Sequence, residues 1–188
     1  MRLISTLFAC LFAIVMFAQT TIPRSEHPRP QFVRDTWVNL NGTWTYTFDF
    51  GESGTARGLS ASKGFDAKIT VPFCPESKLS GVEHKDFINA MWYHRTIDVP
   101  AAWQGKKILL NFGAVDYFST IYVNGEFAGR HWGGSSSFSI DITRFVKAGE
   151  KADVVVWVKD DLRSGEQTGG KQCTNYFSFS QRCGHGQD

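Results

Sequence analysis

Thr120-Ile121-Tyr122-Val123-Asn124-Gly125-Glu126-Phe127-Ala128 reads as a β-hairpin. A two-residue turn that matches strand twist needs positive φ at both central positions, and Asn-Gly tolerates it there. A strand over 120–123 therefore turns back into one over 126–128. Upstream, 107–112 places Ile108, Leu110 and Phe112 on one face. Before it, Tyr93, Arg95, Ile97 and Val99 alternate with His94, Thr96 and Asp98 up to Pro100, the period of a strand with one buried face. A shorter strand over 68–71 stops at Pro72, and 44–50 points Trp44, Tyr46, Phe48 and Phe50 one way. Downstream, 138–141 is a short strand whose Asp141 caps a single turn through Phe145. Segment 152–159 is apolar on both faces, as a central strand requires. Segments 51–64 and 73–86 read as loops, and no amphipathic helix of three turns is found. Short strands punctuated by Gly, Pro and Asn make the chain all-β, a sandwich or barrel.

Composition narrows the function classes. A net charge of +2 with 42% hydrophobic and 14% aromatic residues gives no field for nucleic acid and no long disordered tract. Residues 1–18 form a secretory signal peptide: Met1-Arg2 is the positive start, and the apolar run that follows is too short to span a bilayer. A lipid anchor at Cys10 is disfavoured by bulky Phe8 and by the apolar run continuing past it. The expected localisation is secreted or periplasmic, with no membrane attachment after cleavage. Residues 19–31, with Pro23, Pro28 and Pro30, form an extended leader, and the domain occupies 32–172. The mature chain keeps Cys74, Cys173 and Cys183, an odd count that makes no disulfide framework. Cys173, Cys183 and His185 lack the close pairs of a structural zinc site, so no metal and no cofactor are expected. Asn41-Gly42-Thr43 matches a glycosylation acceptor but is read as a turn.

A family resemblance rests on a long ordered set of motifs. These are Pro72, Leu79-Ser80-Gly81-Val82, Trp92-Tyr93-His94-Arg95-Thr96, Trp103-Gln104-Gly105-Lys106 and Asn111-Phe112-Gly113-Ala114-Val115-Asp116-Tyr117. Val123-Asn124-Gly125, His131-Trp132-Gly133-Gly134 and Phe138-Ser139-Ile140-Asp141-Ile142-Thr143 follow. In order and spacing the set resembles the first domain of family 2 glycoside hydrolases, the family of β-galactosidases and β-glucuronidases. The resemblance implies a jelly-roll β-sandwich of the galactose-binding-like type. In the family it is followed by an immunoglobulin-like domain and a (β/α)₈ barrel that performs the hydrolysis.

Most of these motifs have a structural explanation. Turn geometry accounts for Asn124-Gly125, and tight backbone paths account for Gly113 and Gly133-Gly134. His94-Arg95 is expected to form a surface charge pair rather than a catalytic dyad. The candidate carbohydrate contacts are Asp116, Tyr117, His131 and Trp132: an aromatic ring stacks on the apolar face of a sugar while carboxylate and imidazole bond its rim. The competing reading packs Trp132 under the Gly133-Gly134 turn. Trp44, Trp92 and Trp157 are read as core.

Catalysis is not expected of this chain. A (β/α)₈ barrel takes about 250 residues, and retaining glycosidases need two carboxyl groups about 5 to 5.5 Å apart. Asp160 and Asp161 are neighbours at a strand end and point to opposite sides, so catalytic residues are none. Residues 173–188 depart from the family, with Arg182, Gly184 and Gln187 only echoing its Gly-Ile-Trp-Gln segment. Without the closing strand the product is expected to expose a sheet edge and to self-associate. The favoured function is a non-catalytic fragment of a secreted family 2 glycosidase. The alternatives are a stand-alone carbohydrate-binding module and a structural domain that assembles with a separate glycosidase chain.

Overall fold

The computed structural model describes residues 21–28 and 33–161. The signal-peptide reading, the two ends of the leader (19–20 and 29–31), the 173–188 tail and Cys173, Cys183 and His185 lie outside these described residues. Among the described residues there are eight strands: β1 Gly42–Phe48, β2 Ala67–Val71, β3 Ala90–Asp98, β4 Leu109–Phe112, β5 Phe118–Val123, β6 Glu126–Trp132, β7 Phe138–Asp141 and β8 Lys151–Lys159. They form a six-stranded antiparallel sheet of order β2-β1-β3-β8-β5-β6 and a two-stranded sheet β4-β7. The described regular structure is all-β, with four short 3₁₀ turns between strands.

Alternation along the strands builds the core between the sheets. Tyr46, Tyr93, Val156 and Ile121 stand in one row across four strands, facing inward. Trp44, Ile97, Val123, Val154 and Val158 extend this face, and Ile108, Leu110 and Ile142 close it from the smaller sheet's side. Burial of each such side chain contributes about 1.5–3 kcal/mol. β8 pairs with β3 over nine positions and with β5 over six, which makes it the central strand that its two apolar faces required. Asp141 Oδ1 accepts from the Thr143 backbone N–H at 3.0 Å and from the Thr143 hydroxyl at 2.6 Å, bracing the start of the turn Thr143–Phe145, whose N-cap position is Ile142 rather than Asp141.

Three local readings are corrected by the structure. β1 stops at Phe48, so Phe50 lies beyond the strand, 53% exposed. His94 and Arg95 form no surface pair, because neighbours on a strand point to opposite faces. His94 is buried against Asp153, while Arg95 donates to the backbone carbonyls of Leu40 (2.7 Å) and Asn41 (3.1 Å). The 51–64 loop is more than a surface connection: Gly54 lies buried against the Trp92 indole and the Asp49 carboxylate, so the loop covers the outer face of β3.

The hairpin is longer than its sequence signal. Asn124 (φ 52°) and Gly125 (φ 84°) make the turn as expected, but β6 runs on to Trp132. Ile121 pairs with Gly129 and Tyr122 with Phe127, which leaves Ala128 as an extra, bulged residue. Gly129 has no side chain because Ile140 of β7 occupies that space, its Cδ1 2.6 Å from where a Cβ would stand. This close approach brings the edge of the large sheet onto the small one.

Candidate functional site

The open end of the β5–β6 hairpin gathers the residues that the sequence singled out. The Gly133 N–H donates to the Tyr117 carbonyl at 3.0 Å, and the Tyr117 N–H donates to the Lys159 carbonyl at 3.2 Å. β5 is thereby tied to both neighbours one residue before it formally begins. The Asp116–Tyr117 peptide bond is cis, and the Asp116 carboxylate fills the space where a side chain on Gly134 would be. Gly133 (φ 116°) and Gly134 thus have the structural roles expected of them: one supplies the backbone turn and the other makes room for Asp116.

The four candidates do not converge on one pocket. Trp132 pairs with Phe118 and His131 with Ser119, so the two side chains leave β6 on opposite faces. The His131 ring stacks on Phe138 at 4.1 Å and 15°, Phe138 stacks on Phe112 at 4.7 Å, and His131 Nε2 lies 3.1 Å from the Ser136 hydroxyl. This is a bridge between the two sheets. Trp132 stands on the outer face, 54% exposed, with its ring 4.8 Å from Phe118 and the Arg130 guanidinium 5.2 Å away. It does not pack under the glycine turn, which corrects that alternative. Asp116 and Tyr117 are half-buried at the loop between the faces.

Sequence reasoning missed what surrounds Trp132. Ring contacts run from Trp132 to Phe118, to Trp157 at 5.6 Å, to Trp92 at 6.2 Å, to Tyr122 at 6.0 Å and on to Phe127 at 6.3 Å. Trp157, read as core, is the half-buried middle of this outer chain, and its Nε1–H is buried without a hydrogen-bond partner. The available signal was the pairing of Tyr122 with Phe127, since cross-strand neighbours share a face.

A second polar cluster lies under the covering loop. His94 Nε2 is 2.9 Å from Asp153 Oδ1 and Nδ1 is 3.3 Å from the Thr45 hydroxyl, an arrangement that superficially matches a nucleophile–base–acid relay. Both ring nitrogens are already engaged, and Thr45 also accepts the Phe65 N–H at 3.1 Å. With no free position for a substrate, the cluster is a structural tie. Burial opposes ionisation of Asp153, but hydrogen bonds from Lys63, His94 and Thr96 outweigh it and bring its pKa down to about 2. Asp49 behaves alike: burial raises its pKa, while the Trp92 indole, the Gly54 and Ser53 N–H groups and Arg57 together lower it. Asp141 is lowered by Thr143 and Lys107. Among the described residues no group of three or more His, Cys, Asp or Glu is placed to hold a metal ion. Open depressions of about 520 and 720 Å³ lie elsewhere, and neither is lined by a candidate residue.

Residues 61–168 match the model of the sugar binding domain of glycosyl hydrolases family 2. The chain is 34% identical over 131 residues to a β-galactosidase of Thermoanaerobacter pseudethanolicus, covering 63% of this chain and 16% of the relative. It is 27% identical over 174 residues to a β-glucuronidase of Bacteroides fragilis, covering 92% of this chain and 21% of that one. Among solved structures, the Lactobacillus rhamnosus β-glucuronidase matches with a TM-score of 0.61 at 32% identity, over 69% of this chain and 22% of that one. The matched region thus spans about a fifth of each relative's length.

Proposed function

The chain belongs to glycosyl hydrolases family 2, whose sugar binding domain it carries, and from that premise we propose that it is a non-catalytic piece of a secreted or periplasmic glycosidase. On this reading, hydrolysis of O-glycosyl bonds resides in a barrel domain of the parent enzyme. The sandwich packs there beside the barrel and an immunoglobulin-like domain.

The observation that carries this reading is how the carboxylates are used. A glycosidase needs one carboxyl group held protonated as the acid, its pKa raised, beside a second that is ionised. Among the described residues, the carboxylates whose pKa is displaced, Asp49, Asp141 and Asp153, are displaced downward, each by hydrogen bonds that hold a loop or turn. They work as fasteners for the fold. The positive amino terminus and the apolar run up to residue 17 support export.

The test is an assay of the purified chain with aryl β-glucuronide and aryl β-galactoside. No release of the aryl group above the buffer rate is expected, and turnover would refute the non-catalytic reading. Expression with the native amino terminus should deliver a shortened chain outside the cytoplasm, and a full-length cytoplasmic product would count against export. A second reading, a stand-alone carbohydrate-binding module, is favoured by the half-exposed Trp132 ring.

A further inference from the structure

β6 is an edge strand of the large sheet, and its outward stripe carries Phe127, Arg130 and Trp132. Two of the three are aromatic residues at least half exposed, 50% for Phe127 and 54% for Trp132. Each is backed by a ring of β5: Phe127 stands across from Tyr122, and Trp132 across from Phe118. At roughly 3.3 Å per residue, these two ring pairs lie about 13 Å apart along β5. Arg130 stands between them, across from Thr120, exposed and with its guanidinium over the Trp132 ring. No carboxylate among the described residues forms an ion pair with it. The trough of about 720 Å³ beside Trp103 carries Lys106, Lys107 and Lys147, of which Lys107 and Lys147 are paired with Asp141 and Glu150, and among the described residues no exposed aromatic stripe flanks them as Phe127 and Trp132 flank Arg130.

We infer that the Phe127–Arg130–Trp132 stripe is a binding face for a carboxylate-bearing oligosaccharide. The inference rests on the reading of the chain as part of a carbohydrate-acting enzyme and adds the class of glycan and the face that takes it. Sugar rings lie against the two aromatic ends, where C–H groups meet π faces and apolar surface leaves water. A uronate carboxylate between them accepts from the planar guanidinium fork, which is matched to carboxylate geometry and has no ion-pair partner among the described residues to compete with. A neutral glycan keeps the ring contacts and forfeits the charged one. A guanidinium with no acid partner among the described residues, set in an exposed aromatic stripe, therefore selects for acidic sugars.

Calorimetric titration of the full chain with an oligogalacturonate and with its carboxyl-reduced, neutral counterpart tests this. The acidic oligomer is expected to bind at least about tenfold more tightly than the neutral one. Arg130→Gln should erase that preference, and Trp132→Ala should weaken both by about tenfold, with circular dichroism spectra unchanged. Equal affinity for the two oligomers, no binding at millimolar concentration, or variants that bind like the parent chain would each overturn the inference. Sedimentation of the same proteins adds one more arm. If Trp132→Ala instead turns a dimer into a monomer, the stripe is a contact between copies and the inference falls. The two readings fail separately: turnover of aryl glycosides sinks the non-catalytic proposal alone, whereas an inert chain that binds no acidic oligomer sinks this one alone.

Discussion

The outer face of the large sheet is two surfaces made from the same kind of residue. Over β3, Trp92 is wholly enclosed, its indole N–H donating to Asp49 Oδ2 at 2.7 Å beneath the loop that carries Gly54. Over β6, Trp132 stands at the uncovered edge, backed by Phe118 and flanked by a cation. The difference is made by the covering loop. Where it lies on the sheet, aromatic area becomes fold stability; where it does not, the same area stays available to a partner.

The sharpest way to break this comparison is to truncate each tryptophan in turn. Trp92→Ala should cost about 3–5 kcal/mol, because it opens a large cavity and leaves the buried Asp49 carboxylate short of a donor. Trp132→Ala should cost only about 1 kcal/mol, because its ring is half exposed and what it loses is chiefly the pair with Phe118. Denaturant melts of both variants read the contrast, and equal losses would mean that the two faces are not different in kind. Gly54→Ala probes the cover itself. Its new methyl would collide with the Trp92 ring and with Asp49, so a loss of about 1–3 kcal/mol in the same melts is expected.

A smaller effect comes from acid. The Asp153 pKa is lowered from 3.8 to about 2, so the fold favours its ionised form. The stability that this supplies is complete above the unfolded value near 3.8 and is lost as pH falls toward 2. The melting temperature of the parent chain should therefore drop more between pH 4 and pH 2 than that of Asp153→Asn. Parallel curves would show that the tie between the loop and β8 through Lys63 does not depend on this charge.

Strand positions were legible because alternation is a local signal, and Asn124-Gly125 placed the hairpin turn and its first two pairs, but not the register beyond the bulge at Ala128. The buried partner of His94 was not legible. Asp153 lies 59 positions away, and the pairing exists only once β3 and β8 are side by side. The role of the 51–64 loop was hidden for the same reason, since its small residues look like a solvent loop until Trp92 is placed beneath Gly54. Of the site, Asp116 and Trp132 were picked out by residue type, but their separation onto different surfaces depended on the pairing at the open end of the hairpin. Arg130 was passed over because β6 was read as ending at Ala128, and Phe127, though inside that strand, was not joined to Trp132 because only the bulge at Ala128 brings the two to one face.

The bulge at Ala128 means that β6 holds one residue more than its pairing with β5 consumes. Phe127 and Trp132 are an odd number of positions apart and in an unbroken strand would lie on opposite sides; the surplus residue puts them on the same side. Removing the Ala128 codon would leave every remaining cross-strand partner of β6 in place, while adding a codon to the strand would demand a second bulge or turn part of it inside out. The composition of this surface is thus buffered against losing a residue and sensitive to gaining one, an asymmetry between deletion and insertion that lineages of this domain would carry in their lengths.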